Sequence, residues 1–240
     1  MPRFFCDTDL VAGMETDLPQ TVARHLMVLR MPIGSRLTLF NGKGGEYESE
    51  LLTLGRNKAS ARILAHHPVE RELPYRITLA QGLPEAGKMD WIIGKAVELG
   101  VTAIQPMVAE RSVGRLQGDR VEKRLERWRS VVIAAAQQCG RNTLPDILPL
   151  QTLEQILRNS RETACILFSP RAKSTLSVWA RQQEPHGITI LIGPEGGFSP
   201  SEERLAQESG AVFLSMGDRI LRTETAGLAA VSAINAIWEP

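Results

Sequence analysis

Hydrophobic and polar positions alternate with a short period over the first third of the chain. The segments 36–42, 46–54 and 58–64 are predicted as strands, because glycine and asparagine turns separate them. The segment 19–31 precedes them and predicts a short helix. Short strands at such close spacing are typical of small barrels and sandwiches, so we expect residues 1–70 to form a small β domain of one of these two kinds.

Beyond residue 75, apolar strand-like runs alternate with segments of helical periodicity. Strands are predicted, in chain order, at 76–83, 103–109, 163–169, 188–193 and 211–216. The clearest helices are predicted at 88–100, 118–140, 199–210 and 226–238. This alternation predicts a second domain over residues 75–240, with an α/β fold and a largely parallel sheet.

The composition is that of an ordinary globular protein. The chain has 240 residues, of which 43% are hydrophobic and 23% are charged, and its formal net charge is +1. No apolar run approaches the roughly 20 residues that span a bilayer, and the N-terminus lacks the apolar core of a signal peptide, so we expect a cytoplasmic protein without a membrane partner. The cysteines Cys6, Cys139 and Cys165 are scattered and far from metal-ligand spacing, so we expect reduced thiols and no metal site.

Positive charge is concentrated in one segment although the net charge is nearly zero. From Arg111 to Arg141, eight basic residues accompany three acidic ones. A local basic cluster can bind a polyanion such as RNA. A solvated helix face has the same composition, so the cluster alone leaves both interpretations open.

The loop Gly193–Phe198, with the sequence GPEGGF, follows a predicted buried strand. Ligands of α/β proteins bind beyond the carboxyl ends of such strands. The three glycines allow the backbone to approach a ligand closely. The loop lacks the lysine of a Walker loop, and Glu195 would repel a phosphate, so a neutral or cationic ligand is favoured. A tight turn without a ligand is the alternative.

A second unusual segment, 217–226, ends the next predicted strand and reads GDRILRTETA. Ile220 and Leu221 would form an apolar wall there. Thr223 or Thr225 would cap the last helix.

The two segments IGPEGGFSPSE (192–202) and MGDRILRTETA (216–226) together resemble the RsmE family. These proteins are SPOUT-class, S-adenosylmethionine-dependent RNA methyltransferases that methylate N3 of a uridine in small-subunit (16S) ribosomal RNA. Residues 24–34, 88–113 and 127–145 are similar to further family segments in the same order, so the resemblance covers nearly the whole chain. One departure is Cys139, where the family pattern has a serine.

The resemblance implies a fold and partners that spacing alone does not show. The second domain is expected to be a SPOUT methyltransferase domain with a C-terminal trefoil knot, which would be a rare exception among proteins. The first domain is expected to be a PUA-like β-barrel that binds RNA. The expected partners are 16S ribosomal RNA within the small ribosomal subunit and a second copy of the chain in a homodimer.

The resemblance also implies a site for S-adenosylmethionine, a cofactor that carries a sulfonium cation and no phosphate. The expected cofactor-binding residues are Phe168, Ile192, Gly193, Pro194, Glu195, Gly196, Gly197, Met216, Gly217, Ile220, Leu221, Thr223 and Ala226. Arg222 is the expected catalytic residue, since a guanidinium would stabilise the negative charge that deprotonation leaves on the uracil ring. Glu224 would orient Arg222, accept the N3 proton or only stabilise the N-terminal end of the last helix.

Basic residues along the chain are expected to hold the RNA, because the target base must leave its stack before N3 can react. They are Arg3, Arg24, Arg30, Lys95, Arg111, Arg115 and Arg141. Each of them, and Lys95 above all, would otherwise be an ordinary surface charge.

Three other functions remain open at this point. Another SPOUT activity, such as ribose 2′-O-methylation, would use the same cofactor loop. A non-catalytic RNA-binding protein of ribosome assembly would bind RNA without the cofactor. An α/β enzyme acting on an unrelated small molecule would be indifferent to RNA.

Overall fold

The computed structural model describes residues 1–85, 87–112, 118–160 and 163–239. Within them, contacts divide the chain into two compact units. The first unit comprises Met1–Glu72 and Ile133–Leu144, and the second comprises Leu73–Val132 and Pro145–Pro240. The domain bounds 1–70 and 75–240 stay a prediction. The sequence pattern did not indicate that residues 133–144 group with the N-terminal unit.

The first unit is built on one five-stranded sheet. Its elements are β1 (Arg3–Phe5), β2 (Glu15–Asp17), α1 (Gln20–Val28), β3 (Arg36–Phe40), β4 (Glu46–Leu54) and β5 (Ala59–His67). The strand order is β1-β3-β4-β5-β2, and only the pair β1–β3 is parallel. Leu37, Leu39 and Leu51 on the strands are fully buried, and Leu26 of α1 completes this core. The three longer strands and the helix were predicted from periodicity, whereas β1 and β2 are too short to produce a pattern.

The second unit alternates strands and helices. Its elements are β6 (Ile77–Gly82), α2 (Lys88–Glu98), β7 (Ala103–Val108), α3 (Asp119–Cys139), β8 (Asp146–Ile147), β9 (Gln151–Thr152), α4 (Leu153–Asn159), β10 (Ala164–Phe168), α5 (Leu176–Ala180), β11 (Ile188–Ile192), α6 (Pro200–Glu208), β12 (Val212–Leu214) and α7 (Thr223–Trp238). The last residues of α3, from Ile133, belong to the first unit by their contacts. The five predicted strands and four predicted helices are confirmed within a few residues.

The seven strands of this unit form one parallel sheet. The order is β12-β10-β11-β6-β7-β8, and β9 also pairs with β7. All five residues of β11 are buried, which explains their uninterrupted apolar sequence, since parallel strands are covered on both faces. The largely parallel α/β fold predicted for this unit is confirmed. All strands end at the same edge of the sheet, and the loops of the candidate site emerge there.

The helix after the glycine loop begins where the sequence predicts it. Ser199 caps α6 by accepting a hydrogen bond from the amide of Glu202, and the Glu202 carboxylate accepts one from the amide of Ser199 in return. This capping box satisfies two backbone donors that would otherwise have no partner. It also sets the direction in which the chain leaves the loop.

The trefoil knot that the resemblance implies stays a prediction. Among the helices of the described ranges, none is long and apolar enough to cross a membrane.

Candidate active site

A cavity of about 670 Å³ opens where β10, β11 and β12 end. Its wall includes all of the residues for which cofactor binding was predicted: Phe168, Ile192, Gly193, Pro194, Glu195, Gly196, Gly197, Met216, Gly217, Ile220, Leu221, Thr223 and Ala226. Arg222 and Glu224 line it as well. The two sequence segments that carried the prediction therefore meet in space.

The glycines of the loop are required by close backbone approaches. A Cβ atom on Gly82, at the end of β6, would lie 2.7 Å from the nitrogen of Pro194, a distance that real Cβ atoms do not adopt. A Cβ atom on Gly193 would lie 3.1 Å from the Cα atom of Gly197. Gly197 itself has a φ of 67°, in the left-handed region that favours glycine. The loop is thus folded tightly on itself and against the end of β6.

Thr223 ties this loop to the start of the last helix. Its hydroxyl donates a hydrogen bond of 2.6 Å to the carbonyl of Gly193 and accepts one of 2.9 Å from Nε2 of Gln81. Gln81 is fully buried at the end of β6, and its Oε1 atom has no hydrogen-bond partner among the described residues. The prediction that Thr223 or Thr225 caps α7 is wrong. Arg222 occupies the N-cap position without a side-chain hydrogen bond, and the Thr223 hydroxyl is occupied by the loop.

Arg111 holds the far end of the loop. Its Nη1 atom donates to the carbonyl oxygen of Gly196 at 2.9 Å and to that of Phe198 at 3.3 Å. Arg111 was predicted to bind RNA, but in this structure its guanidinium braces the loop. A local sequence signal for this contact does not exist, since the loop lies 85 residues further along the chain.

Lys88, at the start of α2, is a second cation that sequence reasoning did not select. Its Nζ atom lies 2.8 Å from Oε1 of Glu195 and 3.7 Å from Oε2 of Glu224. Burial alone would raise the pKa of Glu195, but the hydrogen bonds from Lys88 and from the backbone amide of Glu85 hold it below its usual value. The hydrogen bond with Glu195 correspondingly raises the pKa of Lys88. An ion pair therefore joins α2 to the glycine loop.

Arg222 extends from the mouth of the cavity into solvent. Its side chain is 84% exposed, and its Nη1 atom lies 4.0 Å from Oε1 of Glu224. The Glu224 side chain is only 17% exposed, and its Oε2 atom is buried without a hydrogen-bond partner among the described residues. Ile220, on the same segment, is 82% exposed. The mouth thus presents an exposed guanidinium and an exposed apolar side chain on the same segment.

The opposite wall carries a further ion pair that was not predicted. Arg171 donates a hydrogen bond of 2.7 Å to Glu203 of α6, and the hydroxyl of Ser169 lies 3.4 Å from the other carboxylate oxygen. All three residues line the cavity. The polar groups on this side of the wall are therefore paired with each other.

Two of the residues predicted to bind RNA are engaged inside the first unit. Arg3 donates to the carboxylate of Glu46 at 2.8 Å and lies over the ring of Phe40, and burial lowers the pKa of its guanidinium against the opposing effect of Glu46. Arg141 is 4% exposed and pairs with Glu72. These contacts favour a structural role for both arginines.

The other basic candidates differ in their exposure. Arg24 is exposed and donates only to Asn57, at 3.3 Å, and Arg30 is exposed with a φ of 51°, a value unusual for a residue other than glycine. Lys95 forms an ion pair of 2.7 Å with Glu98 of the same helix. Arg115 lies outside the described residues. RNA binding by any of these residues stays a prediction.

The described part of the chain shows no group of three or more His, Cys, Asp or Glu side chains that could hold a metal ion. Pairs of opposite charge instead lie around the cavity: Lys88 with Glu195, Arg171 with Glu203 and Arg222 with Glu224. Phe168, Ile192 and Leu221 supply apolar surface between them. Such a cavity suits an organic ligand with both an apolar and a polar part.

Comparison with known proteins identifies both units. A family described as the RNA methyltransferase domain matches residues 71–235, and a family described as the RNA methyltransferase PUA domain matches residues 18–64. The ribosomal RNA small subunit methyltransferase E of Bacillus subtilis is 35% identical over 216 residues, which are 87% of this chain and 84% of the relative.

Solved structures agree with this similarity over nearly the full length. The ribosomal RNA small subunit methyltransferase E of Neisseria gonorrhoeae, bound to S-adenosyl methionine, superimposes with a TM-score of 0.92 at 39% identity and covers 99% of this chain and 98% of its own. A structure from Legionella pneumophila in complex with the bound cofactor SAM has a TM-score of 0.92 at 34% identity, with 98% and 97% covered. This chain therefore belongs to the ribosomal RNA small subunit methyltransferase E family, with an N-terminal PUA-like β domain followed by an RNA methyltransferase domain.

Proposed function

We propose that this protein transfers a methyl group from S-adenosylmethionine to N3 of a uridine in the 16S RNA of the small ribosomal subunit. It acts as a homodimer in the cytoplasm. The observation that carries the proposal is the gathering of both family motifs around one cavity, at the place in the sheet where α/β proteins bind ligands. Relatives that resemble the whole chain are solved with this cofactor bound.

The residues of the cavity fit the cofactor in size, polarity and charge. The volume of about 670 Å³ is within the usual range for a small-molecule site. Phe168, Ile192 and Leu221 offer apolar surface for the adenine, and the loop backbone offers hydrogen-bonding groups beside it. The buried Oε2 atom of Glu224 lies at ion-pair distance from Lys88 but accepts no hydrogen bond among the described residues, so it can accept one from a ligand. When bound, S-adenosylmethionine supplies an electrophilic methyl group on a sulfonium.

Arg222 stabilises the nucleophile in this proposal. Uridine N3 carries a proton at neutral pH, and its removal leaves negative charge on the ring and its two flanking carbonyl oxygens. The guanidinium of Arg222 is exposed at the cavity mouth, so a flipped base can reach it. A cation placed there lowers the pKa of N3 and stabilises the developing charge.

Glu224 orients Arg222 in this proposal. Its Oε1 atom is at ion-pair distance from Arg222 and its Oε2 atom is at ion-pair distance from Lys88. The variant Glu224→Gln keeps the side-chain shape and one acceptor oxygen. If Glu224 orients the arginine, turnover by this variant falls by about tenfold or less at any pH. A loss of about a thousandfold that increased pH relieves would instead identify Glu224 as the acceptor of the N3 proton.

The first unit contributes to RNA binding through Arg24 and Arg30. Both are exposed, and neither forms an ion pair among the contacts of the described residues. A residue that contacts a phosphate releases counterions on binding. Each of the substitutions Arg24→Gln and Arg30→Gln is therefore expected to reduce the slope of log affinity against log salt by about one.

The central experiment uses small ribosomal subunits from cells that lack this protein. They are incubated with the purified protein and S-adenosylmethionine, the RNA is digested, and the modified nucleosides are identified by mass spectrometry. New 3-methyluridine is the expected product. A ribose-methylated or other nucleoside would contradict the proposed target atom, and RNA binding without any affinity for S-adenosylhomocysteine would contradict the proposed reaction.

Arg222→Ala tests the mechanism separately from binding. Its side chain is exposed and makes no hydrogen bond among the described residues, so the variant is expected to fold normally. Turnover with saturating cofactor is expected to fall by about a hundredfold or more, while the affinity for S-adenosylhomocysteine stays unchanged. Unchanged turnover would refute the role of Arg222.

A further inference from the structure

Lys88 makes contacts that neither the family resemblance nor the proposed mechanism explains. It begins α2, about a hundred residues before the glycine loop, yet its ammonium lines the same cavity. Its Nζ atom has three carboxylates within ion-pair distance: Glu195 at 2.8 Å, Glu85 at 3.6 Å and Glu224 at 3.7 Å. Glu85, Glu195 and Glu224 would repel one another around the cavity if no cation lay between them.

The contacts of Lys88 connect the cavity wall to two separate elements. Glu195 belongs to the glycine loop, and Glu224 belongs to the first turn of α7. The backbone amide of Glu85 donates a second hydrogen bond, of 3.1 Å, to the same Oε1 atom of Glu195 that accepts from Lys88. Glu195 is therefore held from two sides by the segment that precedes α2.

The end of β6, which precedes this segment, packs directly against the loop. Gly82 approaches the backbone of Pro194 so closely that no side chain is tolerated there. A loop that packs this tightly at one point can still open at its free side, where Glu195 is located. On this side the backbone amide of Glu85 and the ammonium of Lys88 both donate to Glu195, Arg111 donates to the carbonyl of Gly196, and Lys88 supplies the ion pair.

We infer that Lys88 is a positioning residue for the cofactor loop: its ammonium holds Glu195 and Glu224 together and keeps the loop in the shape that binds the cofactor. The inference rests on the proposed function, since it takes the cavity as the site of S-adenosylmethionine. Lys88 does not touch the reacting atoms, and it acts on affinity through the loop. Its removal should therefore weaken cofactor binding and leave the methyl transfer of the saturated enzyme largely intact.

If Lys88 acted only through its positive charge, the expected effect of its removal on the affinity for S-adenosylmethionine would have the opposite sign. S-adenosylmethionine carries one more positive charge than S-adenosylhomocysteine, because only the former is a sulfonium. If Lys88 only repelled cations, its removal would strengthen the binding of S-adenosylmethionine and hardly affect S-adenosylhomocysteine. If Lys88 holds the loop, its removal weakens the binding of both ligands, because both need the same loop.

The test measures the affinity of the full-length protein for both ligands by titration calorimetry. Lys88→Met is expected to bind S-adenosylhomocysteine about tenfold more weakly than the wild type, as the loss of a charge-assisted hydrogen bond implies. Glu195→Gln is expected to show a similar loss. Since both substitutions break the same contact, the double variant should be no weaker than the weaker single variant. Lys88→Arg, which keeps the charge, should bind within about threefold of the wild type.

A matched control and a kinetic readout complete the test. Lys43→Met removes a lysine–carboxylate pair of 2.6 Å with Asp9 in the first unit and should leave cofactor affinity unchanged. With saturating S-adenosylmethionine, kcat of Lys88→Met should stay within about threefold of wild type while KM for the cofactor rises about tenfold. Equal affinity of Lys88→Met and wild type, tighter binding of S-adenosylmethionine, or a large loss of kcat would each overturn the inference. Failure of the wild-type protein to bind either ligand would instead overturn the proposed function.

Discussion

The hydroxyl of Thr223 connects the last helix, α7, to the glycine loop Gly193–Phe198. The substitution Thr223→Val removes this hydroxyl with little change in side-chain shape. Thr223 is buried, with 7% of its surface exposed. Its hydroxyl donates to the carbonyl of Gly193 at 2.6 Å and accepts from Gln81 at 2.9 Å. Valine fills the same volume but can neither donate nor accept a hydrogen bond. The variant therefore isolates the two hydrogen bonds from the packing around them.

The magnitude follows from what the substitution leaves behind. The half-buried Gly193 carbonyl loses its donor from the helix, and leaving a polar group unsatisfied costs about 1–3 kcal/mol when the group is buried. The Gln81 amide keeps its second hydrogen bond, of 3.0 Å to the carbonyl of Gly82, so its loss is smaller. The free energy of unfolding should thus fall by about 2–4 kcal/mol, a large share of the roughly 5–15 kcal/mol that is typical of a domain. The loop also loses its attachment, so cofactor affinity should fall in parallel.

The assay is urea unfolding followed by tryptophan fluorescence. All four tryptophans, Trp91, Trp128, Trp179 and Trp238, belong to the second unit, so the signal reports on the unit that contains the site. The midpoint is expected to move down by about 1 M urea or more for Thr223→Val.

Two further variants decide whether the hydroxyl is responsible. Thr223→Ser keeps the hydroxyl and should lose less than half as much stability. Thr225→Val removes an exposed hydroxyl two residues further on and should be nearly neutral. A Thr223→Val protein within about 0.5 kcal/mol of wild type would refute the reasoning, because it would mean that the buried hydrogen bonds contribute nothing net.

Other variants test neighbouring conclusions. Gly82→Ala places a Cβ atom 2.7 Å from loop backbone and should abolish calorimetric binding of S-adenosylhomocysteine, whereas Gly94→Ala, with its nearest neighbour 4.0 Å away, should stabilise helix α2 by about 0.5–1 kcal/mol in urea unfolding. Arg141→Met leaves Glu72 without its buried partner and should lower the free energy of unfolding of the first unit by about 2 kcal/mol or more, measured by circular dichroism in urea. The pKa of Glu195 lies below its ordinary value of 4.5, so its stabilising contribution is complete above that pH and is lost as the pH falls through the lower folded-state pKa. The difference in unfolding free energy between wild type and Glu195→Gln should therefore narrow below pH 4.5.

The fold could be predicted from the sequence wherever an element is long enough to repeat its pattern. Strand β4 was predicted with the same bounds that the structure shows, and helix α3 within one residue at each end. The short strands β1, β2, β8 and β9 escaped, whereas β12, also of three residues, lies in the longer apolar run 211–216 that predicted it. Helices α4 and α5, of seven and five residues, escaped as well.

The predicted cofactor-binding residues of the cavity wall could be found because the two loops that carry most of them have local sequence signals. Three glycines and a proline after a buried apolar strand mark a backbone that must bend tightly. By contrast, the intramolecular contacts of charged residues could not be predicted. Arg3 and Arg141 look like surface charges in the sequence, but the side chain of Arg3 donates to the carbonyl of Arg141, 138 residues away. Nothing within a sequence window distinguishes such a buried arginine from an exposed one.

The contacts that shape the loop escaped because each joins distant parts of the chain. Arg111 reaches the loop across 85 residues, Lys88 across 107, and Gln81 reaches Thr223 across 142. Side-chain contacts from distant parts of the chain therefore set the shape of the loop. In the proposed function the loop offers its backbone to the cofactor, so its own side chains would carry little of the specificity, while its shape depends on side chains from β6, α2 and α7. Substitutions of these distant side chains should therefore change KM for the cofactor, whereas substitutions at the cavity mouth, where Arg222 lies, should change kcat. A variant of Lys88 or Thr223 that lowered kcat without changing KM would contradict this division.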